Sequence, residues 1–278
     1  MWIAKTNFGL KRFVGILFLL SVLPYINLSA TNGNTLFFAI LLITYIGLVF
    51  YNVYDRGLII RIKKFSVGKT KYEVRLCMYF KSSQLSTKSI VITPSGAILS
   101  SIPLATGGEW TYFPFITTLL NNHQIKRALV LGGGGGAIPY MLLRHGICLS
   151  VDTVEKYACM ISIAKQYMLP KPLPTGLHLI HNDAKKYLSK TIKPFDLIIV
   201  DIFEGTVPQL VWDKQFISSI KRSLRKDGIL IVNFGFKEKT NITELEQLYS
   251  NTISNFSLYY INNAIIGISN ATPTYDRI

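Results

Sequence analysis

The residue types best suited to chemistry lie late in the chain, at the ends of apolar stretches. Gly132 to Gly136 is a run of five glycines between Ala128-Leu-Val-Leu131 and Ala137. Glycine lets the backbone turn sharply and lets a ligand approach without a Cβ in the way. Five in a row carry an entropic cost that an ordinary turn does not require. Gly132-x-Gly134-x-x-Ala137 also satisfies the dinucleotide fingerprint, so the run alone leaves the cofactor open. Glu155 stands 23 residues after Gly132, at the end of the next apolar stretch. A carboxylate there can accept both hydroxyls of a ribose. A surface Glu at a helix start would fit the same place.

Two further carboxylates end apolar stretches. Asp183, in HNDAKKYL, is placed either to contact an adenine edge or to cap a helix beginning at Ala184. Asp201 ends FDLIIVD, and Glu204 follows three residues later. A carboxylate at the tip of a buried strand is costly unless it faces a site or a partner, so Asp201 is expected in a site. No metal centre is expected. Cys77, Cys148 and Cys159 form no CxxC pair, the four His are scattered, and this cysteine usage fits a reducing compartment.

The elements that must hold these residues alternate. Strands are expected at 128–131, 149–154, 177–180, 195–201 and 228–234. Helices are expected at 137–145, 156–168, 184–189, 213–225 and 243–254. Two last strands, near 258–261 and 264–268, share Asn262-Asn263 as a tight turn. Alternating strands and helices with buried apolar strands imply a parallel α/β sheet, here with an antiparallel edge. In such a sheet, ligands sit beyond the carboxyl ends of the strands. Residues 58–105 read instead as short strands of a small β region.

Taken together, LVLGGGGGA, TVEK, NDAKKYL, FDLIIVDIFEG, Pro208-Gln-Leu210 and DGILIVNFG resemble the spermidine-synthase-like branch of the S-adenosylmethionine-dependent transferases over roughly residues 90–270. The resemblance implies a seven-stranded, Rossmann-like class I methyltransferase sheet behind a small β domain. It implies that Gly132, Gly134 and Gly136 line the cofactor, Glu155 holds the ribose, Asp183 meets the adenine ring and Asp201 lies at the acceptor side. Within the gatekeeping segment of that branch, Glu109 and Tyr112 match. Gly108, Phe113, Pro114 and Thr118 stand at other positions of its pattern. Its glycine loop usually reads GGGDGG, whereas Gly135 occupies the Asp position here. Its Asp-Ser-Ser-Asp is Asp201-Ile-Phe-Glu204.

The N-terminus differs in kind. Charged residues are 16% of the chain and hydrophobic ones 49%, against about a quarter charged in a soluble domain. Phe13–Ala30 and Leu36–Val53 are each 18 residues without a charge, the lower limit for crossing a bilayer core of about 30 Å. Thr31-Asn-Gly-Asn-Thr35 joins them. A signal peptide is the rival reading of the first run. Lys5, Lys11 and Arg12 precede the pair, and Arg56, Arg61, Lys63, Lys64, Lys69 and Lys71 follow it, so both chain ends are expected in the cytoplasm. Residues 58–108 hold eight Lys/Arg and one Glu, a net +7. Such a segment beside an anchor suits anionic lipid headgroups. No recognition motif or interleaved aromatics point to nucleic acid.

The expectation is therefore a transmembrane hairpin (1–57), a small basic β region (58–108) and a methyltransferase-like domain (109–278). The function expected is a membrane-anchored transferase using S-adenosylmethionine or its decarboxylated form on a small amine or hydroxyl acceptor. Asp201 would take the acceptor's proton, and Glu109, Tyr112 and Glu204 would line the acceptor. The missing carboxylates lean the reading to methyl transfer. Polyamine aminopropyl transfer and a non-catalytic tethered module are the alternatives. A homodimer is a possible assembly.

Overall fold

Strand-forming sequence appears as soon as the described residues begin. The computed structural model describes residues 58–67, 70–81, 84–92, 98–103, 113–190, 194–202, 209–236, 241–261 and 264–271. Both apolar runs of the expected hairpin, with Glu109, Tyr112 and Glu204, lie outside the described residues. Among the described residues, no helix is long and apolar enough to cross a membrane.

The chain divides into two compact units, one reaching Leu99 with 103–107 and the other comprising 100–102 with 108–278. The first contains β1 (Leu58–Val67), β2 (Thr70–Lys81), β3 (Gln84–Ile92) and β4 (Ile98–Pro103), ordered β1-β2-β3-β4 in one sheet. β1 pairs antiparallel with β2, and β2 with β3. The β1–β2 register sets Lys64 opposite Glu73, an opposite-charge pairing that favours this alignment over a slipped one.

The second unit begins with a helix that the sequence reading did not include, α1 (Phe113–Leu120). Its run FPFITTLL is apolar enough to be mistaken for a strand. It nevertheless buries Phe115, Ile116, Leu119 and Leu120, the i, i+1, i+4, i+5 stripe of a helix. The sheet that follows has seven strands in the order β10-β11-β9-β8-β5-β6-β7. They are β5 (Ile125–Leu131), β6 (Cys148–Glu155), β7 (Leu177–His181), β8 (Phe195–Val200), β9 (Leu224–Phe236), β10 (Phe256–Ile261) and β11 (Ala264–Ser269). β5 to β9 pair in parallel, and β11 runs antiparallel to both β9 and β10. This is the seven-stranded mixed α/β sheet expected from the alternating pattern.

The helices are α2 (Ala137–Arg144), α3 (Ala158–Ile163), α4 (Ala184–Lys190), α5 (Lys214–Ser223) and α6 (Ile242–Ser250). Their starts follow from capping. Asp213 accepts the amides of Gln215 and Phe216 at the head of α5. Asn241 and Glu244 form a reciprocal capping pair at α6. Pro139 falls in the first turn of α2, where its missing N–H costs nothing. The helix expected over 156–168 instead starts at Ala158 and ends in a wider turn, Ala164–Met168, closed by Leu169 N–H on the Ala164 carbonyl at 2.8 Å. β9 starts at Leu224 rather than Gly228. Its pairing shifts between Phe195 and Leu197, which absorbs the charged Arg-Lys-Asp-Gly segment.

One face of the sheet is a continuous core. Leu129, Leu131, Val154, Ile198 and Val200 pack with Leu188 of α4, Phe216, Ile217 and Ile220 of α5, and Leu245 and Tyr249 of α6. Tyr249 stacks on Phe256 and meets Phe234 edge-on, and its hydroxyl donates to the Val211 carbonyl at 3.0 Å. That bond satisfies a polar atom that would otherwise be costly at this depth. Lower in the sheet, buried Asp152 is met by Arg127 at 2.7 Å, His178 at 2.8 Å and the Tyr187 hydroxyl at 3.1 Å. The Arg127 guanidinium lies 4.2 Å over the Phe195 ring. These groups compensate one another and tie α4 to the sheet.

Candidate active site

The strand order reverses between β5 and β8: β5, β6 and β7 build outward one way, and β8, β9, β11 and β10 the other. The crevice at such a switch point, beyond the carboxyl ends of the strands, is where open α/β sheets bind ligands. The glycine run leaves β5 at that point. Gly132 N–H donates to the Val154 carbonyl at 2.9 Å, and Asp201 N–H donates to the Leu131 carbonyl at 2.8 Å. Both strand exits are thereby fixed against their neighbours.

The glycines have separate reasons to be glycine. Gly132 has φ +87°, and a Cβ there would sit 2.5 Å from the Asp201 carbonyl oxygen. The loop and the exit of β8 therefore touch backbone to backbone. A Cβ on Gly133 would meet the Thr153 methyl group at 2.1 Å. A Cβ on Gly134, φ +47°, would meet none of the described residues within 4 Å, and Gly136, φ +80°, packs closely on Leu169 and precedes α2. The wide turn at the end of α3 is what brings Leu169 there.

Glu155 ends β6 and is buried, at 7% exposure. Its carboxylate accepts the Gly134 amide at 2.9 Å and the Tyr157 amide at 2.8 Å. Burial raises its pKa above the ordinary glutamate value, and these backbone donors oppose the rise. An ionised carboxylate has about four acceptor positions, so capacity remains for a ribose hydroxyl. Asp183 follows β7 at the same edge, is exposed, and accepts the Lys186 amide at 3.0 Å as the cap of α4. Of its two sequence readings, capping is thus present in the structure.

Asp201 is half-buried and accepts a hydrogen bond from the Asn233 amide at 2.8 Å. Asn233 was not singled out in the sequence, although an amide inside GILIVNF was a visible exception. Thr153, beneath the glycine loop, was also missed. Its buried hydroxyl has no hydrogen-bond partner among the described residues. The structure thus brings Gly132, Gly134, Gly136, Glu155, Asp183 and Asp201 to one edge of the sheet.

Residues 116–269, more than half of the chain, match the family described as spermine/spermidine synthase domain. The chain belongs to this family. Over 138 residues it is 31% identical to the polyamine aminopropyltransferase of Ruegeria sp. strain TM1040, covering 46% of this chain and 48% of that protein. It is 30% identical to that of Methanocaldococcus jannaschii over 129 residues, covering 44% of each. The chain therefore spans about half the length of these relatives. Among solved structures, a probable spermidine synthase from Corynebacterium glutamicum is similar at TM-score 0.60 and 18% identity, covering 75% of this chain and 80% of that one. Spermidine synthase from Thermotoga maritima is similar at TM-score 0.54 and 13% identity, covering 77% and 73%. These structures share their fold with this chain.

Proposed function

We propose that this protein is a transferase of the aminopropyl type, using decarboxylated S-adenosylmethionine and a small amine acceptor. The observation that carries the proposal is the junction of strand exits at the β5–β8 switch point. There the glycine turn abuts Asp201 through Gly132 and meets Glu155 through Gly134. Family membership and the names of the relatives favour aminopropyl over methyl transfer, and so revise the direction in which the sequence leaned.

In this reading, Glu155 takes the ribose hydroxyls and the lack of a Cβ at Gly134 admits the nucleoside. Asp183 stands beside the adenine. The acceptor nitrogen attacks the carbon beside the sulfonium, the carbon–sulfur bond breaks with its electron pair going to sulfur, and the thioether nucleoside leaves. Asp201, on the acceptor side, removes the proton that the new bond makes acidic. Glu109, Tyr112 and Glu204 would line the acceptor. We propose further that residues 1–57 anchor the chain in a membrane, that the basic segment after them meets anionic headgroups, and that the catalytic unit is cytoplasmic. These readings rest on apolar length and charge distribution.

One observation favours methyl transfer as a second reading. Gly135 stands where the resembling branch has an Asp. That Asp would repel the carboxylate of S-adenosylmethionine and attract the amino end of the decarboxylated form. Thermal denaturation with S-adenosylmethionine, its decarboxylated form and NAD separates the readings. A ligand at 100 times its Kd adds about 2.7 kcal/mol of stability. Stabilisation by the decarboxylated form, with turnover of putrescine, is expected. Preference for S-adenosylmethionine that Gly135→Asp reverses would establish methyl transfer instead.

A further inference from the structure

We infer that Asn233 is a positioning residue that sets the orientation of the Asp201 carboxylate toward the acceptor. The inference rests on the reading of Asp201 as the acceptor-side base. Val200 pairs with Val232 in the parallel ladder, so Asp201, just past the end of β8, lies beside Asn233 within β9. Asn233 Nδ2 donates to Asp201 Oδ1 at 2.8 Å. Gly235 N–H donates to Asn233 Oδ1 at 2.9 Å. The second bond decides which way the amide points. A backbone N–H can only donate, so it must face the side-chain oxygen, and the NH2 is left facing the carboxylate.

Gly235 has φ +77°, a left-handed conformation that suits glycine and returns its N–H toward the Asn233 side chain. The chain Gly235–Asn233–Asp201 therefore runs from fixed backbone to the reactive carboxylate. The residues preceding Asn233, Leu230, Ile231 and Val232, are wholly buried in the sheet. The hydrogen bond from the braced amide holds Oδ1 on the Asn233 side and so biases where Oδ2 lies. Misplacement of a reacting group by about 1 Å can cost on the order of a hundredfold in rate.

The test uses the full-length protein and two readouts. In a thermal double-mutant cycle, Asp201→Ala and Asn233→Ala each lower Tm, and the double variant falls by clearly less than the sum. With putrescine and decarboxylated S-adenosylmethionine, Asn233→Ala lowers kcat roughly ten- to a hundredfold while the KM for the nucleoside stays within about twofold. Asn233→Asp keeps the shape and the Gly235 bond but loses the donor, and is expected to lose at least as much. Additive Tm shifts overturn the inference. So does coupling with an unchanged kcat, which would make the pair purely structural. Full turnover by Asp201→Asn overturns the role of Asp201 itself. Absence of turnover in the wild type with either cofactor overturns the transferase reading, and this inference with it. The failures are thus separable.

Discussion

Glu155 shows how one buried side chain can serve stability and binding in opposite senses. Its pKa lies above the ordinary glutamate value of 4.5, with burial as the main cause. Between that value and its raised one, the folded protein holds a proton that the unfolded chain has released. Stability therefore falls as pH rises through this window, and the penalty is constant above it. Ribose hydroxyls donate to the ionised form, so nucleoside affinity should rise with pH across the same window. Glu155→Gln should flatten the pH dependence of Tm there. It should also weaken nucleoside binding by about 1.5–3 kcal/mol, because a charge-assisted acceptor is lost and an NH2 is set against a backbone N–H. Titration calorimetry against pH, beside Tm against pH, checks both. Thr153 gives a simpler expectation. Its buried hydroxyl lacks a partner among the described residues, so Thr153→Val should raise stability by about 1 kcal/mol in denaturant melts. A loss would show that the hydroxyl is used. At this scale the sequence revealed the carboxylates, because each one interrupts an apolar pattern. It hid Asn233, whose partner lies 32 residues away in the chain, and no local pattern encodes a contact across strands.

The elements were legible where periodicity was long and caps were present. β5 to β9, the final hairpin and α2, α4, α5 and α6 stand within a few residues of their expected places. α1 was missed because its short run is apolar on most sides. The wide turn ending α3 was missed because a single extra residue per turn leaves no mark on the pattern. Yet that turn supplies Leu169, which packs on Gly136 at the head of α2. The glycine loop itself is an element held by close approach. Gly132→Ala would place a Cβ 2.5 Å from the Asp201 carbonyl oxygen at φ +87°, a clash with backbone that no rotamer relieves. It should cost about 3 kcal/mol or more of stability. Gly134 also has a left-handed φ, but a Cβ there meets none of the described residues within 4 Å. Gly134→Ala should therefore cost less, of order 1–2 kcal/mol from backbone strain alone. Equal losses in denaturant melts would refute the contact between the loop and β8.

At the scale of the whole molecule, charge and hydrophobicity are segregated along the chain, and this arrangement was legible without any structure. The net charge of +15 is unevenly spread: residues 58–108 carry +7, and 109–278 hold 18 basic against 13 acidic side chains. β1 begins at Leu58, five residues after the second apolar run ends at Val53. Five extended residues reach at most about 18 Å. If that run spans a bilayer, the start of β1 is confined near the headgroups, and Arg61, Lys63 and Lys64 follow within six residues of it. Each basic side chain near an anionic surface contributes about 1 kcal/mol, so the segment and the apolar pair would act together. The loop between the two runs has no charge to retain it on the cytoplasmic side, whereas both flanks are basic. Reporter fusions after Asn34 and after Lys71 should therefore lie on opposite sides of the membrane, with the Lys71 fusion inside. A Lys71 fusion on the outer side would overturn the proposed cytoplasmic placement of the α/β unit and its access to the proposed nucleoside cofactor. Fusions on the same side would mean that the two runs do not form a spanning pair.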